Sequence, residues 1–313
     1  MKIGLVDVDT VNFPNLPLMK LSAWHKAQGD QVELFHDHSL KEADKIYMSK
    51  VFSFTPDYQH KVYANEIVKG GTGYFYPDGG EPLASEIEHI MPDYSLYNIS
   101  DTAYGFLTRG CPRNCGFCIV SKKEGVRSVQ VAELGEFWSG QKNIVLLDPN
   151  ILACKNHIEL LQSLVKSNAY VDFTQGLDAR LLTKKNIALI KNIKIKMLHF
   201  AWDSYNSIDV ILPKLELFKN LYPNARSSVY VLCNYDTTVE QDFQRIYALK
   251  NLGYLPFVMV YERYKLPKDH IVLQIQNWAN NHAGFSASSD FNQYQKYQKT
   301  QREDKAAKWA VLL

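Results

Sequence analysis

Cys111, Cys115 and Cys118 stand in the segment TRGCPRNCGFCIV at C-x3-C-x2-C spacing, with Phe117 directly before the last of them. Thiolates are soft ligands, and three on one short loop can hold three corners of an iron-sulfur cubane, leaving the fourth iron open to a cofactor or substrate. A zinc knot or three unconnected buried thiols is the competing reading. Structural zinc takes four protein ligands, so zinc here would need Cys154, His157 or His89 to come in from elsewhere in the chain.

The elements that must position such a loop can be read on either side of it. Alternating strand and helix patterns run through the centre of the chain. The candidate strands are Tyr104 to Thr108, Asn143 to Asp148, Ala169 to Gln175, Lys196 to Trp202, Ser228 to Cys233 and Pro256 to Tyr261. Helical stretches are expected over Val129 to Ser139, Lys155 to Ser167, Thr183 to Asn192, Asn206 to Leu221 and Thr237 to Leu252. In the second of these Ile158, Leu161, Leu164 and Val165 form one apolar stripe. The last opens on Thr237 and Glu240, an S/T-x-x-E capping box, and stops at Gly253. A parallel β/α array carries its site at the carboxyl ends of its strands, and the cysteine loop comes after the first candidate strand.

Residues 1 to 97 read as a separate small α/β layer. KIGLVDV, QVELFH and DKIYMSKVFSF are strand-like, PLMKLSAWHKAQG between the first two is helical, and MPDYSLY is the expected joint to the central strand and helix array. The run Gly70 to Gly73 reads as a plain turn in preference to a nucleotide cradle.

A C-x3-C-x2-C loop with an aromatic before its third cysteine, placed after a strand, resembles the hallmark of the radical S-adenosylmethionine (SAM) superfamily. The resemblance implies an α/β fold in which a partial (β/α)6 TIM-like barrel at 98–270 succeeds a small Rossmann-like domain at 1–97, with a C-terminal helical extension at 271–313. It also implies a 4Fe-4S cluster on the three cysteines and SAM on the open iron. One electron, from a donor such as flavodoxin or ferredoxin, then cleaves SAM, and the 5'-deoxyadenosyl radical takes a hydrogen from a substrate that the sequence does not name. The family's glycine-rich segment after the second strand is replaced here by LLDPN, so Asp148 and Asn150 are the expected acceptors for the SAM amino group. Arg180 in QGLDAR is the donor fork for its carboxylate, in competition with an ion pair to Asp178 or Asp172. Gln175, Asp203 and Asn234, each polar after an apolar run, are candidates for the ribose hydroxyls, or caps of the next helix. Phe117 is expected near adenine or as a shield of the cluster, and Tyr261 and Glu262 at the substrate side.

The N-terminal layer resembles the cobalamin-binding domain of one superfamily class, but its D-x-H-x-x-G motif is missing: His36 and His38 in FHDHS have neither the spacing nor the glycine. Cobalamin is left open without support, and a cobalamin-dependent methyl or alkyl transferase is the alternative enzyme. An iron-sulfur or zinc-binding nucleic-acid adaptor is the alternative outside enzymology.

Composition narrows the setting. The chain has 313 residues, 46% hydrophobic and 22% charged, with a net charge of +2, which is too balanced to argue for a polyanionic partner by itself. Asp7 and Asp9 interrupt what would be the apolar core of a signal peptide, and no apolar run reaches a membrane span, so a cytoplasmic protein with no membrane partner is expected. Five cysteines, three in one loop, do not form a disulfide framework; Cys154 and Cys233 are expected to be packed structural thiols. His199 reads as a satisfied core histidine. Lys296, Lys299, Arg302, Lys305 and Lys308 recur at intervals of three in the C-terminal stretch, leaving Tyr294, Ala306, Trp309 and Leu313 for packing. That face reads as solvated first and as a nucleic-acid contact second.

Overall fold

The computed structural model describes residues 1–10, 13–35 and 41–310. It divides into two compact units: Met1–Gln175 with Leu189–Lys196, and Gly176–Ala188 with the described residues from Met197 onward.

The first unit opens with a parallel sheet formed by β1 (Lys2–Asp7), β2 (Gln31–Leu34), β4 (Lys45–Ser49) and β6 (Glu66–Gly70), in the order β2-β1-β4-β6. Strand alternation sends Ile3 and Leu5 to one face, where they pack on Leu18 and Leu21 of helix α1 (Leu16–Ala27). Val6, Ile46 and Met48 face the other side and are covered by Tyr58, Val62, Ala64 and Tyr74. Among the described residues that second face carries no helix; its cover comes from the stretch between β4 and β6, where β5 (Val62–Tyr63) pairs with β3 (Lys41–Glu42) from before β4, and from Tyr74 after β6. Among the described residues the layer therefore has its helix on one side, where a Rossmann-like layer would carry helices on both. The strand expected over DKIYMSKVFSF ends at Ser49 because the amides of Val51 and Phe52 donate to the Asp9 carboxylate, both at 2.8 Å, instead of extending the ladder.

The joint at MPDYSLY is a packed seam inside this unit. After the short helix α2 (Ser85–Glu88), Asp93 accepts from Ser22 Oγ and Lys26 Nζ of α1, each at 2.6 Å. Tyr94 Oη donates to the Phe137 carbonyl at 2.6 Å and accepts from the Tyr104 amide, while Tyr97 Oη donates to Asp7 at 2.7 Å. Beyond it lies a second parallel sheet of β7 (Thr102–Gly105), β10 (Asn143–Leu146) and β11 (Tyr170–Phe173), in the order β11-β10-β7, with α4 (His157–Ser167) between the last two strands of the chain order.

The second unit has a parallel sheet of β12 (Leu177–Asp178), β13 (Leu198–Ala201), β14 (Ser227–Cys233) and β15 (Leu255–Val260), in that order. In chain order the helices α5 (Lys184–Asn192), whose last residues from Leu189 are counted in the first unit, α6 (Ile208–Leu221) and α7 (Val239–Asn251) fall between successive strands. One face of this sheet is a closed apolar core: Phe200, Val229 and Val231 share it and, like Phe218 and Leu249 of the helices, are fully buried, whereas the other face carries His199, Ser228 and Tyr230 and leaves Phe257 and Met259 exposed. The outer strand β15 is closed by an amide: Asn280 accepts from the Val258 amide at 2.7 Å and donates to its carbonyl at 3.0 Å, occupying hydrogen bonds that an edge would otherwise present. Asn280 ends α8 (Ile271–Asn280), which precedes α9 (His282–Ala287) and α10 (Phe291–Ala310).

All six expected strands are present, and two local expectations change. Val129 to Ser139 is no helix: β9 (Val129–Gln130) pairs antiparallel with β8 (Thr108–Arg109), and the Glu133–Glu136 capping box initiates a single 3-10 turn. The capping box of α7 is Thr238 with Gln241, because the Thr237 hydroxyl is taken by Asp242 at 2.6 Å.

Candidate functional site

The three cysteines sit on an excursion closed at its base by the β8–β9 pair, Thr108 opposite Gln130 and Arg109 opposite Val129. Gly110 precedes the first of them at φ +83°, and a Cβ there would stand 2.1 Å from the Arg127 carbonyl oxygen. Only glycine lets the two sides of the excursion approach this closely. Glu124 then locks the base: its carboxylate accepts from the Gly110 amide and from Arg109 Nη1, both at 3.2 Å. The Cys111 amide donates to the Gly125 carbonyl at 3.1 Å, and a left-handed Asn114 turns the chain toward Cys115. The Cys118 amide returns to the Cys115 carbonyl at 3.0 Å, and the short helix α3 (Val120–Lys123) carries the chain away.

Cys111, Cys115, Cys118 and Phe117 are all half-buried, and none of the three thiols is in a disulfide. Among the described residues no three His, Cys, Asp or Glu side chains are gathered as ligands of a metal ion. The donor chemistry nonetheless fits an iron-sulfur cluster, with three reachable thiols on a loop whose base is rigid and whose tip is short. The amide of Asn150 adds to this fit: Nδ2 stands 3.5 Å from Cys111 Sγ, a donor positioned to stabilise a thiolate.

Asp148 and Asn150, paired as acceptors in the sequence, separate in the structure. Asp148 is buried and its carboxylate is committed to the chain leading into the cysteines: it accepts from the Leu107 amide at 3.1 Å, the Thr108 amide at 2.5 Å and Thr108 Oγ1 at 2.7 Å. Burial pushes its pKa up to about 6, against the pull of these donors. Asp148 is thus an anchor of the strand that feeds the loop, whereas Asn150, whose backbone carbonyl also takes the Ser128 hydroxyl at 2.8 Å, faces Cys111. Gln175 is exposed and closes the first unit's long segment.

Arg180, Asp203, Asn234, Tyr261 and Glu262 belong to the second unit. Arg180 forks onto Asp178 through Nε at 2.7 Å and Nη2 at 3.2 Å, the ion pair that competes with a ligand carboxylate. Asn234, left-handed at φ 64°, donates to the Tyr261 carbonyl at 2.9 Å and so ties the end of β14 to that of β15. Tyr261 packs edge-on against Tyr235, and Glu262 pairs with Lys265 at 2.6 Å. Asp203, immediately after β13 and Trp202, differs from the rest: its Oδ1 is buried and has no hydrogen-bond partner. Burial pushes its pKa up to about 6, opposed by the charges of Arg245 and Arg180.

Arg245 was not anticipated. It is fully buried and donates through Nη1 to the carbonyls of Trp202 and Asp203, both at 2.8 Å, and through Nη2 to the Leu232 carbonyl at 2.7 Å and Asp242 Oδ1 at 2.6 Å. One guanidinium thereby gathers the carboxyl ends of β13 and β14. The signal was in the α7 stripe: Asp242 and Arg245 occupy the same face as Ile246 and Leu249, positions where a charge survives only if paired.

The remaining candidates resolve as structural parts. At Gly71, φ +93°, a Cβ would meet the Lys50 carbonyl oxygen at 2.4 Å, so the glycine run serves a close chain approach, in keeping with the turn reading. His199 pairs with Ser228 Oγ at 2.7 Å and stacks on Tyr230. Cys154 is buried with its thiol on Asn156 Oδ1, and Cys233 is buried with its pKa pushed up by desolvation and the Asp242 charge. His36 and His38 lie outside the described residues, as do the side chains of Arg302, Lys305, Ala306, Lys308 and Trp309, and Leu313. No described helix is long and apolar enough to cross a membrane.

No protein-family model matches the sequence, and no curated protein matches it. Among solved structures the chain is similar to SuiB from Streptococcus suis bound to its precursor peptide SuiA, at 13% identity and a TM-score of 0.42, over 67% of this chain and 49% of that one. It is also similar to SuiB bound to S-adenosylmethionine, at 13% identity and a TM-score of 0.39, over 72% of this chain and 52% of that one. The chain thus spans about half the length of the structures it matches, and at these scores the likeness carries no argument about fold or function.

Proposed function

We propose that this chain is a radical SAM enzyme that holds one 4Fe-4S cluster on Cys111, Cys115 and Cys118. The observation that carries the reading is the C-x3-C-x2-C loop itself, with Phe117 before its third thiol, set after a strand of a parallel sheet on a glycine-pinned base. Such a cluster, when bound, supplies the electron that splits the sulfonium of SAM and yields the 5'-deoxyadenosyl radical that removes hydrogen from a substrate.

The chain's own residues provide the setting for that chemistry. Asp148 fixes the start of the excursion, Glu124 closes its base, and the Asn150 amide stabilises negative charge on Cys111. Phe117 is assigned to shielding the cluster or facing adenine. Asp203, with a buried oxygen that lacks a donor, is assigned to a ligand hydroxyl, and Arg245 holds its backbone in place. Arg180 can serve the SAM carboxylate only by exchanging Asp178. In this reading the N-terminal sheet is a Rossmann-like cover, the two later sheets are parts of a partial (β/α)6 barrel, and an external one-electron donor is required.

The test is anaerobic reconstitution. The expected result is four iron and four acid-labile sulfide per chain, with 5'-deoxyadenosine formed from SAM under dithionite and lost in Cys115→Ala. Stoichiometric zinc without acid-labile sulfide would sink the reading.

A further inference from the structure

Asn150 touches Cys111 from outside the loop that carries the thiols. It is buried, and its Nδ2 stands 3.5 Å from Cys111 Sγ across 39 residues of sequence. The end of β10 delivers it there: the Leu147 amide donates to the Gly105 carbonyl at 3.0 Å, and the Ala153 amide closes a 3-10 turn on the Asn150 carbonyl at 3.2 Å. The same carbonyl takes the hydroxyl of buried Ser128, which lies on the returning arm of the cysteine excursion. Asn150 is therefore a strut, its backbone tied to the returning arm and its side chain set on the outgoing one. The amides of Cys111 and Cys118, by contrast, are directed at the carbonyls of Gly125 and Cys115 and not at sulfur.

Reduction adds negative charge that the ligating sulfurs share, so an N–H donor on one of them favours the reduced state. Burial strengthens such a bond, because no water competes for the donor. From this geometry we infer that Asn150 raises the reduction potential of the cluster and that Ser128 is a positioning residue that holds Asn150 in place. The inference rests on the proposed cluster and goes past it, to how readily that cluster accepts one electron from the external donor. The Asn150 amide keeps its proton throughout.

Redox titration of the reconstituted full chain without SAM, followed by the electron paramagnetic resonance signal of the reduced cluster, tests it. Asn150→Leu, similar in size but lacking a donor, lowers the equilibrium constant for reduction about tenfold, a shift of about 59 mV for one electron. Asn150→Asp moves it at least as far in the same direction, because a carboxylate opposes the added charge. Asn150→Gln, which keeps a donor on a longer side chain, recovers part of the loss. Ser128→Ala lowers the constant about threefold, since the amide remains and only its tether is removed. Iron and acid-labile sulfide counts on each variant separate tuning from loss of a ligand. Spin-echo spectra of the reduced native chain, labelled with 15N in its asparagine side chains, show a coupled nitrogen that Asn150→Asp lacks, a readout that does not depend on Asn150→Leu folding. Full loading with potentials unchanged or higher in Asn150→Leu and Asn150→Asp, or native spectra without that nitrogen, overturns the inference and leaves the cluster standing. A native chain without iron and sulfide removes both.

Discussion

Asp148 and Asp203 make an instructive pair. Each comes just after a strand of a parallel sheet, Asp148 buried and Asp203 half-buried with Oδ1 out of solvent, and desolvation pushes each to about 6. Asp148 receives three hydrogen bonds from Leu107 and Thr108, so its carboxylate is directed into the chain. Asp203 keeps a buried oxygen without a donor, in the field of two arginines. A buried polar group that is fully bonded stabilises the fold, and one that is not costs stability unless a ligand completes it. The same residue type in the same kind of position therefore does two jobs: Asp148 shapes the scaffold of the cysteine loop, and Asp203 is kept open.

The largest expected effect comes from removing the residue that holds Asp203. Arg245→Ala leaves three strand-end carbonyls and Asp242 without their common donor in a fully buried site. Loss of one partner of a buried ion pair costs about 3–5 kcal/mol. Urea unfolding should show that loss, and Arg245→Lys should recover only part of it, because an ammonium cannot span four acceptors with one planar fork. An unchanged midpoint in Arg245→Ala would show that the guanidinium does not hold these strand ends together.

Next in size is the pair itself. Asp148→Asn replaces one oxygen by a donor that faces the donors of Leu107 and Thr108, and should cost about 1–3 kcal/mol. Asp203→Asn should cost less, about 1 kcal/mol, since Oδ1 has no hydrogen-bond partner and the amide nitrogen can take its place. Its effect belongs in binding: equilibrium dialysis of SAM on the reconstituted protein should weaken for Asp203→Asn. Equal stability losses in the two variants would erase the distinction.

How far this was legible in the sequence differs between the two carboxylates. The strands and their carboxyl ends were readable because apolar runs of strand length alternate with helical stripes, and that placed Asp148 and Asp203 correctly at strand ends. Their partners were not readable. Asp148 bonds to Leu107 and Thr108, some forty residues earlier, through a register that only the parallel pairing of β10 with β7 sets. The false helix over Val129 to Ser139 has the same origin: its first residues pair with Thr108 and Arg109, a long-range contact that overrides local preference. Cys111, Cys115 and Cys118 are the opposite case: their spacing, within eight residues, is visible without tertiary information, and the cluster proposed for them rests on that pattern.

The smallest effect is on pH, and it sharpens the comparison from another side. A carboxyl whose folded pKa lies above its ordinary 3.8 binds its proton more tightly folded than unfolded. Its contribution to stability is therefore present at acid pH and declines as pH rises from about 4 to about 6, each tenfold difference in proton affinity being worth roughly 1.4 kcal/mol. Asp57, Asp93 and Glu136, held below their ordinary values by hydrogen bonds and nearby cations despite some burial, act in the opposite sense, so the whole chain's profile mixes the two. The difference between native chain and variant isolates each group. Subtracting the urea midpoints of Asp203→Asn from those of the native chain between pH 4.5 and 7.5 should give a difference that falls with rising pH. SAM should flatten that fall by giving the charged form of Asp203 a donor, and should leave the corresponding Asp148→Asn difference untouched. A SAM effect of equal size on both curves would mean that the orphaned oxygen of Asp203 is not where the ligand binds.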